Sequence, residues 1–215
     1  MLRLNSSRAR TWQTDEEEQM KLYLTIIAAC ILLISAIVSL ACEVGFLSTI
    51  GFTTLAVVAV IAVDGFVSGM ARMMPKAIAR HDAKIYVVSA KEKKFYEKLK
   101  IRKWKDKVPE IGHFTGFRKN KIADPKSVEY LERFLLEACY GEVGHFFSLF
   151  FGFAILLLFP ISDVWFAISI PVAIINVLLN LPSLFILRYN SYKLEILRKS
   201  NLRKQSREKT ADETI

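Results

Sequence analysis

His145 is the side chain best placed to do chemistry, because it opens an apolar run and follows Glu142 by three residues. On a continuous helix, Glu137 and Glu142 point about 80° and 60° to either side of it. An imidazole flanked by carboxylates can have its tautomer fixed and its basicity raised, which suits a general base. The alternative is that these groups only solvate a helix end, as is common where a helix enters a membrane.

A basic and aromatic block precedes this histidine. Residues 101–106 read IRKWKD, and an arginine there can hold a phosphate through two parallel hydrogen bonds. The block predicts a site for a phosphorylated substrate, with anchoring to anionic lipid as the alternative. Residues 91–107 are expected to form one helix in the plane of the membrane surface, ended by Pro109.

Further polar residues lie within or beside apolar runs. Asp64 is costly there without a partner, and Arg72 is the basic group predicted to pair with it. A polar group at the end of the last run is expected to hold helices together or to line a headgroup pocket: Asn180, Arg188, Tyr189 and Asn190. His81 and His113 are predicted to be surface or loop histidines, and the three histidines do not have the spacing of a metal site.

The composition shows which elements must position these residues. The chain has 215 residues, of which 53% are hydrophobic, yet its net charge is +9. Charge and apolarity are separated into blocks, since residues 22–42, 46–71 and 143–187 are nearly free of charge. Such runs exclude an ordinary cytosolic globule, a disordered chain and a disulfide-stapled secreted module. They predict an all-α polytopic membrane protein.

Four spans are expected: Leu22–Cys42, Phe46–Ala71, Phe146–Pro160 and Val164–Leu187. The strictly apolar part of the third is short, so this span is expected to begin nearer Glu142 or to tilt. A helix capped by Asp124 and Pro125 is predicted to lead into the third span. The chain then divides into an N-terminal cytoplasmic segment, a hairpin, a basic cytoplasmic or interfacial segment, a second hairpin and a basic tail: 1–21, 22–71, 72–142, 143–187 and 188–215. The last twelve residues are expected to be frayed, solvated chain.

The charge distribution predicts the orientation. Residues 72–145 hold 18 basic and 10 acidic residues, and residues 186–215 hold eight and four. By the positive-inside rule both segments are cytoplasmic, as is the N-terminus, and the two short hairpin turns face outward. The predicted location is therefore the cytoplasmic (inner) membrane.

Three ordered segments resemble blocks of one bacterial membrane family. They are residues 101–106 with Pro109, Phe117 and Lys119; residues 137–145, EACYGEVGH; and Asn180-Leu181-Pro182 followed by Arg188-Tyr189-Asn190 and Leu194. Over roughly residues 75–195 the chain is similar to the glycosyl-4,4'-diaponeurosporenoate acyltransferases, the acyltransferases of the staphyloxanthin pathway and their relatives. It departs from them at Tyr140, where relatives often carry a basic residue, and in a longer N-terminal hairpin.

The resemblance implies transfer of a fatty acyl group to a hydroxyl of a membrane lipid. His145 would be the base, with Glu142 or Glu137 orienting the ring. Arg188 and Asn190 would stabilise the oxyanion or bind the sugar. The substrate-binding set it implies is Arg102, Lys103, Trp104, Lys105, Asp106, Phe117, Lys119, Asn180, Arg188, Tyr189 and Asn190.

The expected partners are a membrane lipid and an acyl-CoA or similar thioester as donor, with no bound cofactor, metal or nucleic acid. Two alternatives remain at this point. One is a membrane scaffold that recruits anionic lipid or a protein through its basic loop. The other is a lipid-modifying enzyme of another class, such as a methyltransferase.

Overall fold

A computed structural model describes residues 6–108, 122–158 and 163–212. In these ranges the chain is helical and contains no strand. The helices are α1 (Ser6–Cys42), α2 (Phe46–Met73), α3 (Ala90–Lys98), α4 (Ile101–Trp104), α5 (Val128–Phe151) and α6 (Asp163–Asp212), and 3-10 turns follow α4 at Lys105–Lys107 and α5 at Gly152–Leu157.

Four of these helices are long and apolar enough to cross a membrane: Met20–Cys42, Phe46–Met73, Val128–Leu157 and Asp163–Ala211. Large apolar side chains on them, such as Leu40 and Leu47, point outward and are 83% exposed. Such a surface suits lipid rather than water. The predicted fold class is thus confirmed: the chain is an all-α, multi-pass membrane protein with helical structure between spans two and three.

The first two spans form a tight hairpin, as the sequence predicted. Three residues separate α1 from α2, and the Ser39 hydroxyl donates to the Val44 carbonyl at 2.6 Å across the turn. Deeper in the pair, the Ser35 hydroxyl donates to Thr53 Oγ1 at 3.0 Å. Hydroxyls of this kind let two helices approach closely and bond inside lipid.

The helices α2, α5 and α6 pack together around the candidate site. Small residues make this possible, because a Cβ added at Gly144 of α5 would lie 3.3 Å from Ser68 Oγ of α2. At the other end of the bundle, the buried Trp165 of α6 donates its indole N–H to the Ile155 carbonyl at 3.1 Å. These contacts join α2 to α5 and α6 to the turn that follows α5.

The start of α5 differs from the prediction. The cap is Ser127, whose hydroxyl accepts from the Tyr130 amide at 3.1 Å, rather than Asp124. The Asp124 carboxylate instead accepts from the amides of Lys126 and Ser127, both at 3.2 Å, and so forms a turn before the helix. The expected continuity is confirmed, since α5 runs unbroken through Glu142 and His145 into the third span.

The last helix is much longer than the predicted span. It has 50 residues, contains Pro171 and Pro182, and passes Leu187 without a break. Its outer part is held by α5, because Leu194 packs on Leu131 and Leu135. The prediction of a frayed tail is wrong for residues 204–212, which are helical, and residues 204–211 are exposed to solvent as expected.

The predicted helix over residues 91–107 is also corrected. Lys100 adopts a left-handed conformation with φ of 53°, which separates α3 from α4. Tyr96 and Ile101 are 3% and 0% exposed and pack with Ile186 and Tyr189 of α6. These two side chains are therefore buried against protein, and the segment forms two short helices beside α6 rather than one continuous helix.

Candidate functional site

His145 is half-buried and makes a hydrogen bond to α6 rather than to a glutamate. Its Nδ1 lies 2.7 Å from Asn180 Oδ1. An amide oxygen only accepts hydrogen bonds, so Nδ1 must carry the hydrogen. In the neutral ring Nε2 then holds the lone pair and is the atom that can take up a proton.

Behind His145 lies a polar cluster from three helices. The Asn180 amide group donates to Asp64 Oδ2 at 3.0 Å and to Asn176 Oδ1 at 2.9 Å. The Asn176 amide group in turn lies 3.3 Å from both Asp64 Oδ1 and the Ser148 carbonyl. We call Asp64, His145, Asn176 and Asn180 the inner cluster.

The inner cluster depends on a glycine for space. A Cβ on Gly152, at the end of α5, would overlap the Asn176 side-chain nitrogen. Asn176 is 5% exposed and occupies the volume that this glycine leaves open. The absence of a side chain at Gly152 therefore makes room for Asn176 in the inner cluster.

The structure does not bring the two predicted glutamates to the imidazole. Both oxygens of Glu142 are engaged elsewhere, with Ser191 Oγ donating to Oε1 and Arg188 Nη1 to Oε2, each at 2.9 Å. The Glu137 carboxylate lies 3.9 Å from Arg72 Nε. The orienting partner of His145 is thus the Asn180 amide, and Asp64 pairs with asparagines rather than with Arg72.

Arg188 joins the segment between spans two and three to the bundle. Its guanidinium also donates two bonds to the Glu92 carboxylate of α3 and one, at 3.1 Å, to the Ile85 carbonyl. We call Glu92, Glu142 and Arg188 the outer network. These partners give the guanidinium a role in docking α3, and its role as an oxyanion donor stays a prediction.

Electrostatics favour the charged form of Glu92. Burial opposes ionisation of this carboxyl, but hydrogen bonds from Arg188 and Tyr96 outweigh it, and its pKa lies below the ordinary value. Burial, together with the bond that the Tyr96 hydroxyl donates to Glu92 at 2.6 Å, raises the pKa of that phenol. The tyrosine therefore remains a donor at every physiological pH.

The basic block is positioned by α6 as well. Ile101 is fully buried against α6, while Arg102 and Lys103 project from α4 and are exposed. The Trp104 indole donates to the Leu99 carbonyl at 2.9 Å, and the Lys105 amine lies 2.7 Å from Asp106. Ile186 of α6, which belongs to the same apolar cluster as Ile101, lies six residues after Asn180, about 9 Å along the helix axis.

The remaining predicted site residues have mixed outcomes. Tyr189 is 2% exposed and packs edge-on to Tyr96, so it supports α3 from within the protein. Asn190 is half-buried on α6. Phe117 and Lys119, like Pro109, His113 and Pro160, lie outside the described residues. In the described part of the chain, no three His, Cys, Asp or Glu side chains gather as a metal site would require.

Sequence reasoning missed Asn176 and gave Asp64 the wrong partner. The available signal was the spacing of Asn176 and Asn180, four residues apart and therefore on one helix face within an apolar run. A lone carboxylate in another span needs polar partners, and two amides on one face supply them.

Comparison with known proteins agrees with the resemblance. The family model described as glycosyl-4,4'-diaponeurosporenoate acyltransferase matches residues 78–200, more than half of the chain. The chain belongs to this family. No curated protein and no solved structure matches it.

The part of the chain matched by the glycosyl-4,4'-diaponeurosporenoate acyltransferase family contains most of the site. It includes the whole outer network and, of the inner cluster, His145, Asn176 and Asn180. Asp64 lies before the matched segment. Membership supports an acyltransferase.

Proposed function

We propose that this protein is a membrane O-acyltransferase that moves a fatty acyl group from a thioester donor to a hydroxyl of a membrane lipid. The observation that carries the proposal is the 2.7 Å contact between His145 Nδ1 and Asn180 Oδ1 in a chain of an acyltransferase family. This contact leaves Nε2 as the basic atom of the neutral ring.

The reaction follows from that assignment. The acceptor hydroxyl oxygen attacks the thioester carbonyl carbon while its proton passes to His145 Nε2. The tetrahedral intermediate then expels the thiolate, which takes the proton back from the imidazolium. The products are an ester and a free thiol, and the histidine returns to its neutral form without a covalent acyl-enzyme.

Substrate placement follows from charge and apolarity. The exposed Arg102 and Lys103 suit the phosphates of an acyl-CoA-like donor. The lipid-facing apolar surface of the spans gives acyl tails and a lipid acceptor access from the bilayer. Asn190 stays a predicted hydrogen-bond donor to the oxyanion or to the acceptor.

The proposal is tested by acyl transfer in lipid nanodiscs. Purified protein is incubated with radiolabelled palmitoyl-CoA and a total lipid extract, and labelled lipid products are separated by chromatography. His145→Gln is expected to lower the rate about 10²–10⁴-fold, because a general base contributes about that much. His81→Gln is the matched control and keeps the rate, because the lost ring lies 3.3 Å from Glu195 of α6 and outside the inner cluster.

A folded His145→Gln protein that transfers label at the wild-type rate would contradict the role of His145. Absence of transfer from every donor, together with loss of function only when Arg102 and Lys103 are both changed to Glu, would favour a scaffold that recruits anionic lipid.

A further inference from the structure

We propose that Asp64 is a positioning residue that sets the tautomer of His145 through Asn180. The inference rests on the proposed function and extends the reactive site to α2, outside the segment that the family model matches. Asp64 makes no contact with the imidazole and would act through the amide alone.

The first step concerns the direction of the Asn180 amide. This side chain is 7% exposed, and its nitrogen faces three oxygens: Asp64 Oδ2 at 3.0 Å, Asn176 Oδ1 at 2.9 Å and the Asn176 backbone carbonyl at 3.1 Å. A carboxylate only accepts, so an amide turned the other way would place oxygen against oxygen in a buried site. Asp64 therefore acts together with the two Asn176 oxygens to point Asn180 Oδ1 towards His145.

The second step concerns the ring. Because Asn180 Oδ1 only accepts, it selects the neutral tautomer in which Nδ1 carries the hydrogen and Nε2 carries none. A partner on the far nitrogen plays the same part in catalytic triads, where the wrong tautomer abolishes most of the rate. Asp64 on α2 thus acts on the tautomer of His145 on α5 through the orientation of the Asn180 amide.

The third step asks why a carboxylate is present at this depth. An acid inside a span is costly, and in the described part of the chain Asp64 has no lysine or arginine partner. An asparagine at this position could offer either end to its neighbour, whereas a carboxylate offers only acceptors. The carboxylate thus adds an acceptor of fixed polarity to the backbone carbonyls of Ser148 and Asn176, to which the two amides also donate.

The test reads the tautomer directly. Protein labelled with 15N-histidine is placed in lipid nanodiscs at a pH where the ring is neutral, and the His145 signals are those lost in His145→Gln. The chain has three histidines, so this assignment is straightforward. Wild-type protein is expected to show the tautomer protonated on Nδ1, and a ring protonated on Nε2 would overturn the proposal without any further variant.

Variants then isolate the carboxylate. Asp64→Asn is expected to give a mixture of tautomers and to lower kcat about 10–100-fold, as changes to orienting partners do, with KM for the donor unchanged. Adding Asn180→Asp to Asp64→Asn exchanges the two groups. The double variant should recover the Nδ1 tautomer, because a carboxylate then accepts from Nδ1 directly. Asp163→Asn, at the exposed start of α6, is the matched control and should change neither readout.

The outcomes separate the two proposals. If Asp64→Asn keeps the Nδ1 tautomer and the wild-type kcat, Asp64 is not a positioning residue, whatever His145 does. If Asp64→Asn mixes the tautomers while His145→Gln remains fully active, the positioning inference holds and the proposed function fails.

Discussion

The protonation state of one residue, Glu92, bears on the docking of the whole helix α3. The Glu92 carboxylate accepts two bonds from Arg188 and one from Tyr96, so it joins α3 to α6. Its partners hold the pKa of the carboxyl below the ordinary value of 4.5, against the opposing effect of burial. A group whose pKa is lowered on folding stabilises the folded state above its unfolded pKa.

This linkage gives a pH prediction for α3. As the pH falls below about 4.5 and through the lowered value, Glu92 gains a proton, and the stabilisation of the α3 contact is lost. Amide hydrogen exchange in peptides from residues 90–104, corrected for the intrinsic rate, should become faster over this range. Glu92→Gln should show weaker protection at neutral pH and little further change on acidification.

Glu97→Gln is the control for the pH prediction, because Glu97 makes an exposed pair with Lys93 one helical turn away. This variant should retain the wild-type pH dependence. The interpretation would be wrong if Glu92→Gln still lost protection of α3 at acid pH as steeply as the wild type.

The sequence was informative about residue types but not about partners. His145 could be selected because an imidazole beside acids opens an apolar run. Its true partner, Asn180, lies 35 residues away on another helix. Asp64 and Arg72 could not meet, since eight residues along one helix separate them by about 12 Å. Choosing between partners requires the packing of α2, α5 and α6, and periodicity within one helix does not contain that information.

Among the elements, α5 shows how a helix can shape a site by leaving a gap. Its residues 128–151 are regular, and the turn then tightens into a 3-10 helix at Gly152, opposite Asn176. This tight approach lets one α6 amide reach both the Ser148 carbonyl and Asp64. A larger residue here would move Asn176 out of the inner cluster.

Gly152→Ala should therefore damage both packing and activity. Its Cβ overlaps the Asn176 amide, which hydrogen bonds hold in place, and overpacking of a tight site costs about 1–3 kcal/mol. A lower Tm in detergent and a loss of acyl transfer are expected together.

Gly69→Ala on α2 is the control for Gly152→Ala, since nothing lies within 4 Å of its added Cβ. It should keep both the Tm and the activity. Wild-type Tm and rate in Gly152→Ala would show that Asn176 can shift without consequence.

The helices between spans two and three show what periodicity cannot predict. Residues 90–104 have helix-forming composition throughout, yet Lys100 turns the chain with φ of 53° so that Ile101 can enter the α6 surface. Burial of Ile101 and Tyr96 offsets the local backbone cost. Similarly, α6 stays helical beyond the predicted span because α5 supplies contacts outside the apolar region.

For the whole molecule, the fold follows directly from the separation of charge and apolarity. The four spans were predictable because apolar segments of this length are typical of helices that cross a membrane. The orientation remains a prediction from the basic segments. It can be tested with the native cysteines, because Cys42 is exposed at the first hairpin turn, whereas Cys139 is buried.

A membrane-impermeant maleimide should label Cys42 in intact cells if the hairpin turns face outward. Cys42→Ser should abolish this label. A Lys94→Cys substitution in the same Cys42→Ser background should react only after the membrane is opened. Labelling of Lys94→Cys but not of Cys42 in intact cells would reverse the predicted orientation.

The proline inside α6 has a mechanical consequence. Helices bend most readily where a proline removes a backbone hydrogen bond, and Pro182 stands two residues after the amide that holds the imidazole. The part of α6 after Pro182 contacts the short helices that carry the basic block, and the part before it carries Asn176 and Asn180, of which Asn180 holds His145 of α5. A bend of α6 at Pro182 would alter the distance between a water-soluble acyl donor and a membrane-embedded acceptor, and both parts of the helix would stay folded.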